Sequence, residues 1–286
     1  MKITKAIIPI AGLGTRFLPV TKAQPKEMLP LLDKPVIQYV VEEAVASGIK
    51  QIFFITSHTK QAVENHFDHN FELEIRLRQA RKMKALKIVQ RIHRLAEFVI
   101  IRQKEPKGSA DAILCAREFV RNEPCAVLYG DDIIDSSRPC LRQLMDVFEK
   151  YNDSIIAVKR VSKEEIRHFG SIKARKIESR VYQVEKVVEK PDPERAPSNL
   201  GIVGRYIFTP DMIQEMTKIK HHKNREIGVT DAFAGFLKKK PMYACEFEGN
   251  WYTFGNKQGF LQANIAFGLK DKELGKDLRN FIKRIK

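Results

Sequence analysis

The sequence predicts an α/β fold: a central, mostly parallel mixed sheet flanked by helices, ending in a helical C-terminal tail. Three observations carry this. Short apolar runs bounded by turn residues or charges recur from residue 5 to residue 160. Helical stretches lie between them, and strands that alternate with helices imply a sheet covered on both faces. No internal repeat or low-complexity linker divides the chain. One domain over residues 1–268 is expected, followed by a tail over 269–286.

The elements follow in order. KAIIPIA (5–11) reads as a strand, and VIQYVVEEAVASG (36–48) has helical periodicity with Gly48 placed as its C-cap. QIFFIT (51–56) and EFVIIRQ (97–103) read as strands. SADAILCAREFV (109–120) reads as a helix that Ser109 or the preceding glycine caps. PCAVLYG (124–130), the helix CLRQLMDVFEKY (140–151) and DSIIAVKR (153–160) continue the alternation. Beyond residue 160 the pattern loosens, and RVYQVEKVVEKP (180–191), GIVGRYIF (201–208) and MYACEFEG (242–249) read as strands of a mixed sheet.

Composition narrows the class. With 286 residues, 43% hydrophobic and 30% charged, the chain reads as soluble and globular with a sizeable core. No apolar run approaches the roughly 18 residues of a membrane span. The apolar N-terminus runs straight into a glycine–arginine loop with no small-residue cleavage site, so a cytoplasmic protein is expected. Cys115, Cys125, Cys140 and Cys245 form no C-x-x-C pair, which favours reduced thiols over a zinc site. The formal charge of +16 points to anionic partners. Much of it sits at 76–94, 218–225 and 270–286 without interleaved aromatics. A stacking platform for single-stranded nucleic acid is therefore missing, and solvated faces are the expected role of these runs. Neither nucleic acid nor a membrane is expected as a partner.

The stretch AGLGTRFLPVTKAQPKEMLP (11–30) follows the first strand. Its G-x-G suggests a dinucleotide fingerprint, but Phe17 stands where the third glycine belongs. Prolines at 19, 25 and 30 forbid an uninterrupted helix, and no Walker A motif is present. What remains is a different phosphate cradle. Gly12 and Gly14 let the backbone turn and bring N–H groups close to an anion, and Arg16 and Lys26 add positive charge suited to a triphosphate. Asp131 and Asp132 close the strand AVLYG, where the ends of parallel strands bind ligands. Their oxygens suit Mg²⁺. VEK occurs twice, at 184–186 and 188–190; in a strand Glu185 and Glu189 share one face and Lys186 and Lys190 the other, so spacing does not choose between them.

Residues 12–30 resemble the signature of the sugar nucleotidyltransferases, and among them the bacterial UTP–glucose-1-phosphate uridylyltransferases, which read G-L-G-T-R-F-L-P-x-T-K-x-x-P-K-E-M-L-P. Further similar stretches follow in the family's order: DKPVIQYVVEEA (33–44), RQKE (102–105), GDDI (130–133), VEKP (188–191), APSNLGIVGRYIF (196–208), EIGVTDA (226–232) and GNKQGFLQAN (255–264). The resemblance implies a Rossmann-like nucleotidyltransferase fold. It implies the reaction of UTP with glucose 1-phosphate to UDP-glucose and pyrophosphate, by in-line attack on the α-phosphorus. It implies Arg16, Lys26 and Lys190 as catalytic residues and Asp131 as the magnesium ligand. Gly12, Leu13, Gly14, Thr15, Gln103 and Gly108 are implied as nucleotide-binding, and Gly170, Glu189 and Gly204 as sugar-binding. The family's VEKP thus selects the second triplet. Lys257 stands in its family position and is expected to face the phosphates. A homodimer or homotetramer is implied as well.

Some positions depart from the family pattern. Asp111 stands where the family has histidine, and Ala110 where it has glycine. The family's G-x-R-Y-D-x-G-x-K is G-N-W-Y-T-F-G-N-K here, so Trp251 replaces an arginine and Thr253 an aspartate. In related thymidylyltransferases that aspartate helps hold magnesium, and a neutral threonine hydroxyl is a poor substitute. The resemblance therefore leaves two alternatives: the same chemistry on another pyrimidine nucleotide or hexose 1-phosphate, or a catalytically impaired protein that binds nucleotide sugars.

Overall fold

The computed structural model describes residues 2–220 and 226–285. The charged run expected at 218–225 therefore lies mostly outside the described residues.

β1 (Lys5–Pro9) ends in the glycine loop, which winds through three short 3₁₀ turns at 15–17, 20–22 and 26–28 before the small hairpin β2 (Pro30–Leu31) and β3 (Lys34–Pro35). α1 (Val36–Ala46) and β4 (Gln51–Thr56) follow, then α2 (Gln61–Phe67), α3 (Phe71–Gln79), α4 (Met83–His93) and β5 (Glu97–Arg102). The basic 76–94 run thus forms the end of α3 and all of α4. α5 (Ser109–Leu114), α6 (Arg117–Val120), β6 (Cys125–Leu128), β7 (Asp132–Asp135), α7 (Cys140–Tyr151) and β8 (Ile155–Arg160) complete the first half. The second half holds β9 (Gly170–Glu178), β10 (Val181–Glu189), β11 (Leu200–Phe208), α8 (Pro210–Met216), α9 (Thr230–Leu237), β12 (Tyr243–Glu246), β13 (Asn250–Thr253), α10 (Lys257–Lys270) and α11 (Gly275–Arg284).

Nine strands form one sheet in the order β5-β4-β1-β6-β11-β8-β12-β10-β9. The strands β5, β4, β1 and β6 run parallel, as the alternation of strands and helices predicts. β8 and β12 are also parallel. The remaining neighbours are antiparallel, because β11 inserts between β6 and β8 in the opposite direction and β9 and β10 form a hairpin. The antiparallel share is thus larger than the sequence suggests. The central strands are buried on both faces, so consecutive residues serve two cores. Ile8, Phe54 and Leu128 pack under α1, α2 and α7, while Ile7, Phe53 and Val127 pack under α5, α8 and α9. The predicted helix over 109–120 breaks at Cys115–Ala116 into α5 and α6. Gly48, at φ 101, closes α1 as expected. All four cysteines are free thiols.

The chain runs from β1 outward to β4 and β5, then returns to place β6 on the other side of β1. The crevice between the ends of β1 and β6 is the switch point at which open α/β sheets bind ligands. The glycine loop leaves one of these strand ends and Gly130–Asp132 the other.

The chain end docks through α10. Leu31, Val36, Ile133, Phe254 and Ala263 form a small third core. α10 runs through residue 268 to Lys270, and α11 folds back on it, with Arg279 donating to the Leu269 carbonyl at 2.9 Å.

Candidate active site

Two cavities meet at the switch point. The first, about 520 Å³, lies over the glycine loop and is lined by Gly12, Gly14, Thr15, Lys26, Gln103 and Gly108, among others. The second, about 460 Å³, lies against the start of β9, the end of β10 and the middle of β11, with Gly170, Glu189, Lys190 and Gly204 in its wall. Six residues line both: Arg16, Ser109, Tyr129, Asp131, Glu226 and Gly255. The residues expected for nucleotide and for sugar therefore separate into adjoining spaces, with Asp131 and Arg16 at the seam.

The loop earns its glycines unequally. Gly14 adopts φ 68, where other residues are strained, and packs against Lys26 and Thr21. Gly12 has open space where a Cβ would stand, so the expectation that both must turn the chain holds only for Gly14. Leu13 is exposed and lines neither cavity. Arg16 crosses the seam to donate to the Gly255 carbonyl at 3.1 Å, tying the loop to the turn before α10.

Lys26 extends its Nζ to 2.5 Å from Asp131 Oδ2. Burial works against the Lys26 charge, but Asp131, Glu27 and Asp132 outweigh it and hold the ammonium above its usual range. Burial likewise favours the neutral acid of Asp131, yet Lys26 and Arg16 hold it below the usual carboxylate range. Asp132 goes the other way. Burial and the Asp131 charge push it up to about 6, against the pull of Arg205 and of a hydrogen bond from Trp251. That bond runs from the indole Nε1 to Oδ1 at 2.8 Å. Below Lys26, Glu27 forms a fully buried pair with Lys60 at 2.8 Å.

Gln103 is buried, and its Nε2 donates to Asp111 at 2.7 Å. The departure at 111 thus orients the amide, because a carboxylate only accepts. Gly108 adopts φ 114, and a Cβ there would meet the Ile227 carbonyl at 2.4 Å. That close approach lets residues 226–231 line the second cavity, with Glu226 reaching the first as well. Ile227 N–H donates to Lys107 O, and Ala110 N–H to Ile227 O.

The two VEK triplets separate here. A register shift between Val184 and Lys186 breaks the strand's alternation, so Glu185 and Glu189 do not share a face as the sequence suggests. Glu185 pairs with Lys173 outside the cavities. Glu189 accepts from Thr230 Oγ1 at 3.1 Å. Lys190 follows β10 in the left-handed region, at φ 43. Both Glu189 and Lys190 therefore line the second cavity although they are adjacent in sequence. Gly170 opens β9, a strand the sequence reading missed. Lys257 begins α10, is exposed and lines neither cavity, contrary to its expected place by the phosphates. Sequence reasoning also missed Ser109, Tyr129, Glu226 and Thr230. The last two lie in the quoted EIGVTDA run, where polar residues around a glycine after a basic run of sequence were the available signal.

Residues 5–268 match the model of the nucleotidyl transferase family. The chain belongs to that family. Within it the chain is 48% identical to the UTP–glucose-1-phosphate uridylyltransferase of Bacillus subtilis, over 98% of this chain and 96% of that protein. It is also 48% identical to the protein of the same name from Staphylococcus epidermidis, over 99% of both chains. A UDP-glucose pyrophosphorylase solved with UDP-glucose superposes with a TM-score of 0.86 at 40% identity, covering 94% of this chain and all of that one. A UTP-bound UGPase from Acinetobacter baumannii gives 0.91 at 34% identity over the whole of both chains.

Proposed function

We propose that this protein transfers a uridylyl group from UTP to α-D-glucose 1-phosphate, giving UDP-glucose and pyrophosphate. The observation that carries the reading is the pair of adjoining cavities whose shared wall holds Asp131 and Arg16. Bacterial relatives at 48% identity bear the name of that activity.

The reaction joins two polyanions. A phosphate oxygen of glucose 1-phosphate forms a bond to the α-phosphorus of UTP as the α–β bridging P–O bond breaks, and pyrophosphate leaves with that oxygen. The nucleophile is already anionic, so no general base is required. The protein aligns the two phosphates and offsets their repulsion. Arg16 and Lys26 serve the triphosphate from the first cavity, and Lys190 serves the sugar phosphate from the second. Gln103, held by Asp111, leaves its Oε1 to accept from the N3–H of uracil, an atom that cytosine lacks. Glu189 accepts from glucose hydroxyls, and Gly170 and Gly204 border the same space. Gly12, Leu13 and Gly14 offer backbone N–H donors to phosphate, and Thr15 adds its hydroxyl. Gly108 lets the backbone approach the base.

Magnesium fits the donor set through Asp131. Among the described residues no group of three or more His, Cys, Asp or Glu side chains could hold a metal by itself. A magnesium ion would be held by Asp131 together with substrate phosphates and water, the usual manner for this hard cation. It would supply charge neutralisation at the phosphates during transfer.

The wider reading includes a transferase domain over 1–268 with a tail over 269–286, a homodimer or homotetramer, and a cytoplasmic location. No described helix is long and apolar enough to cross a membrane. The test of activity is pyrophosphate release from UTP, dTTP, CTP, ATP and GTP against glucose, galactose and N-acetylglucosamine 1-phosphates with Mg²⁺. Release confined to UTP and glucose 1-phosphate is the expected result. Release from another pair would keep the chemistry and replace the substrate. Silence from folded protein that binds UDP-glucose would favour the binding-protein alternative.

A further inference from the structure

Resting on that reading, we propose that Asp111 makes the base pocket choose uracil over cytosine. It touches no substrate: it is a positioning residue that decides which end of the Gln103 amide faces the base.

A glutamine amide is two-sided. One end accepts and the other donates, and a half-turn about its last bond exchanges them with little change of shape. Uracil presents a donor at N3–H and cytosine a lone pair at N3, so each orientation suits one base. A glutamine that turned freely would serve both. Selection therefore needs a group that holds the amide.

The fold holds it from behind. Gln103 follows β5 and is buried, and its backbone N–H donates to the Thr56 carbonyl at 2.9 Å. Its Nε2 donates to Asp111 Oδ2 at 2.7 Å and, more distantly, to the Gly108 carbonyl at 3.4 Å. A carboxylate and a carbonyl only accept, so nitrogen is the end that both require. Asp111 supplies the stronger hold, being charged and close, whereas the carbonyl contact is long. Gln103 lines the first cavity and Asp111 lines neither. The acceptor end is thus the one left for a base. Asp111 is itself held in place, because the Ala110 N–H beside it donates to the Ile227 carbonyl at 3.1 Å.

Residue type decides the outcome. A neutral histidine ring, the residue of the family pattern, presents a donor or an acceptor according to its tautomer and leaves both amide orientations open. An ionised aspartate leaves one. The departure at 111 accordingly sharpens base selection instead of weakening the site.

Pyrophosphate release with glucose 1-phosphate gives kcat/KM for UTP, CTP and dTTP, and calorimetry gives their affinities. Asp111→Leu removes the acceptor at nearly constant size, and the UTP:CTP ratio should fall at least about tenfold. Asp111→Asn can turn either end of its own amide to Gln103, and the ratio should fall about threefold or more. The UTP:dTTP ratio should stay within about twofold in both variants, because thymine keeps the N3–H. In a Gln103→Ala background Asp111→Leu should leave the UTP:CTP affinity ratio unchanged, since Asp111 acts through that amide. An unchanged UTP:CTP ratio in either folded variant would overturn the proposal. So would an equal fall in the UTP:dTTP ratio, the mark of a pocket merely damaged, or an effect of Asp111→Leu that persists without Gln103. Turnover of UTP by the unmodified protein with unchanged ratios in the variants removes this inference alone. A protein that neither binds nor turns over UTP removes the proposed function and this inference with it.

Discussion

Two ion pairs flank the turn at Gly130–Asp132, and they are built for opposite purposes. On one side Arg205 is fully buried and saturated. Its Nε and Nη2 hold Glu43, and the remaining guanidinium bonds go to the carbonyls of Tyr129, Gly204 and Asp132 at 3.2, 2.9 and 2.7 Å. On the other side Lys26 reaches Asp131 through a single contact, with each side chain 22% exposed at the seam of two cavities. The first pair fixes the backbone that presents Asp131. The second can part without leaving an enclosed charge stranded. The buried pair uses every guanidinium donor, whereas the more accessible pair makes one contact.

Breaking the scaffold should cost most. Arg205→Met leaves the enclosed Glu43 without its counter-charge, with the Leu141 N–H at 3.0 Å still donating to it, and urea denaturation should show a loss of about 3–5 kcal/mol. Replacing Glu43 by Leu in the same chain should recover much of it, since the stranded charge is the larger part of the loss. Asp131→Asn should behave differently. Turnover should fall at least about 100-fold, or about 2.7 kcal/mol of transition-state stabilisation, while the urea midpoint moves little. A mutant with near-normal turnover would remove Asp131 from the metal site.

The comparison sharpens at the two VEK triplets. Lys190→Ala should lower kcat/KM by about tenfold or more, whereas Lys186→Ala should stay within about twofold. The reverse order would assign the chemistry to the wrong triplet. Among the cavity residues the smallest effect is expected at Thr230→Val, which removes the hydroxyl that donates to Glu189. KM for glucose 1-phosphate should rise about threefold to tenfold with kcat nearly kept, the size of one hydrogen bond. A change in kcat alone would place Thr230 at the reacting phosphates instead.

The same contrast explains what was legible in the sequence. The parallel half of the fold reads directly, because QIFFIT and PCAVLYG are apolar without interruption and buried on both faces. The residues of the loops after β1 and β6 were legible too, since phosphate cradles and metal carboxylates draw on few residue types. Long-range geometry was not. Nothing local shows that Arg205, in an otherwise apolar strand, meets Glu43 across 162 positions, although a lone charge in such a strand is a signal. The bulge at Glu185 and the left-handed Lys190 likewise depend on β9, which has too many charges to read as a strand. Lys257 opens α10, exposed and in the lining of neither cavity, a placement that its spacing in the sequence does not show.

A crystal structure of the protein with UDP-glucose would test the central claim most directly. The account predicts uracil beside Gln103 and Gly108, the glucosyl group beside Glu189 and Gly170, and the diphosphate across the seam at Asp131 and Arg16. A ligand bound outside the two cavities, or lying the other way round with sugar over the glycine loop, would contradict it.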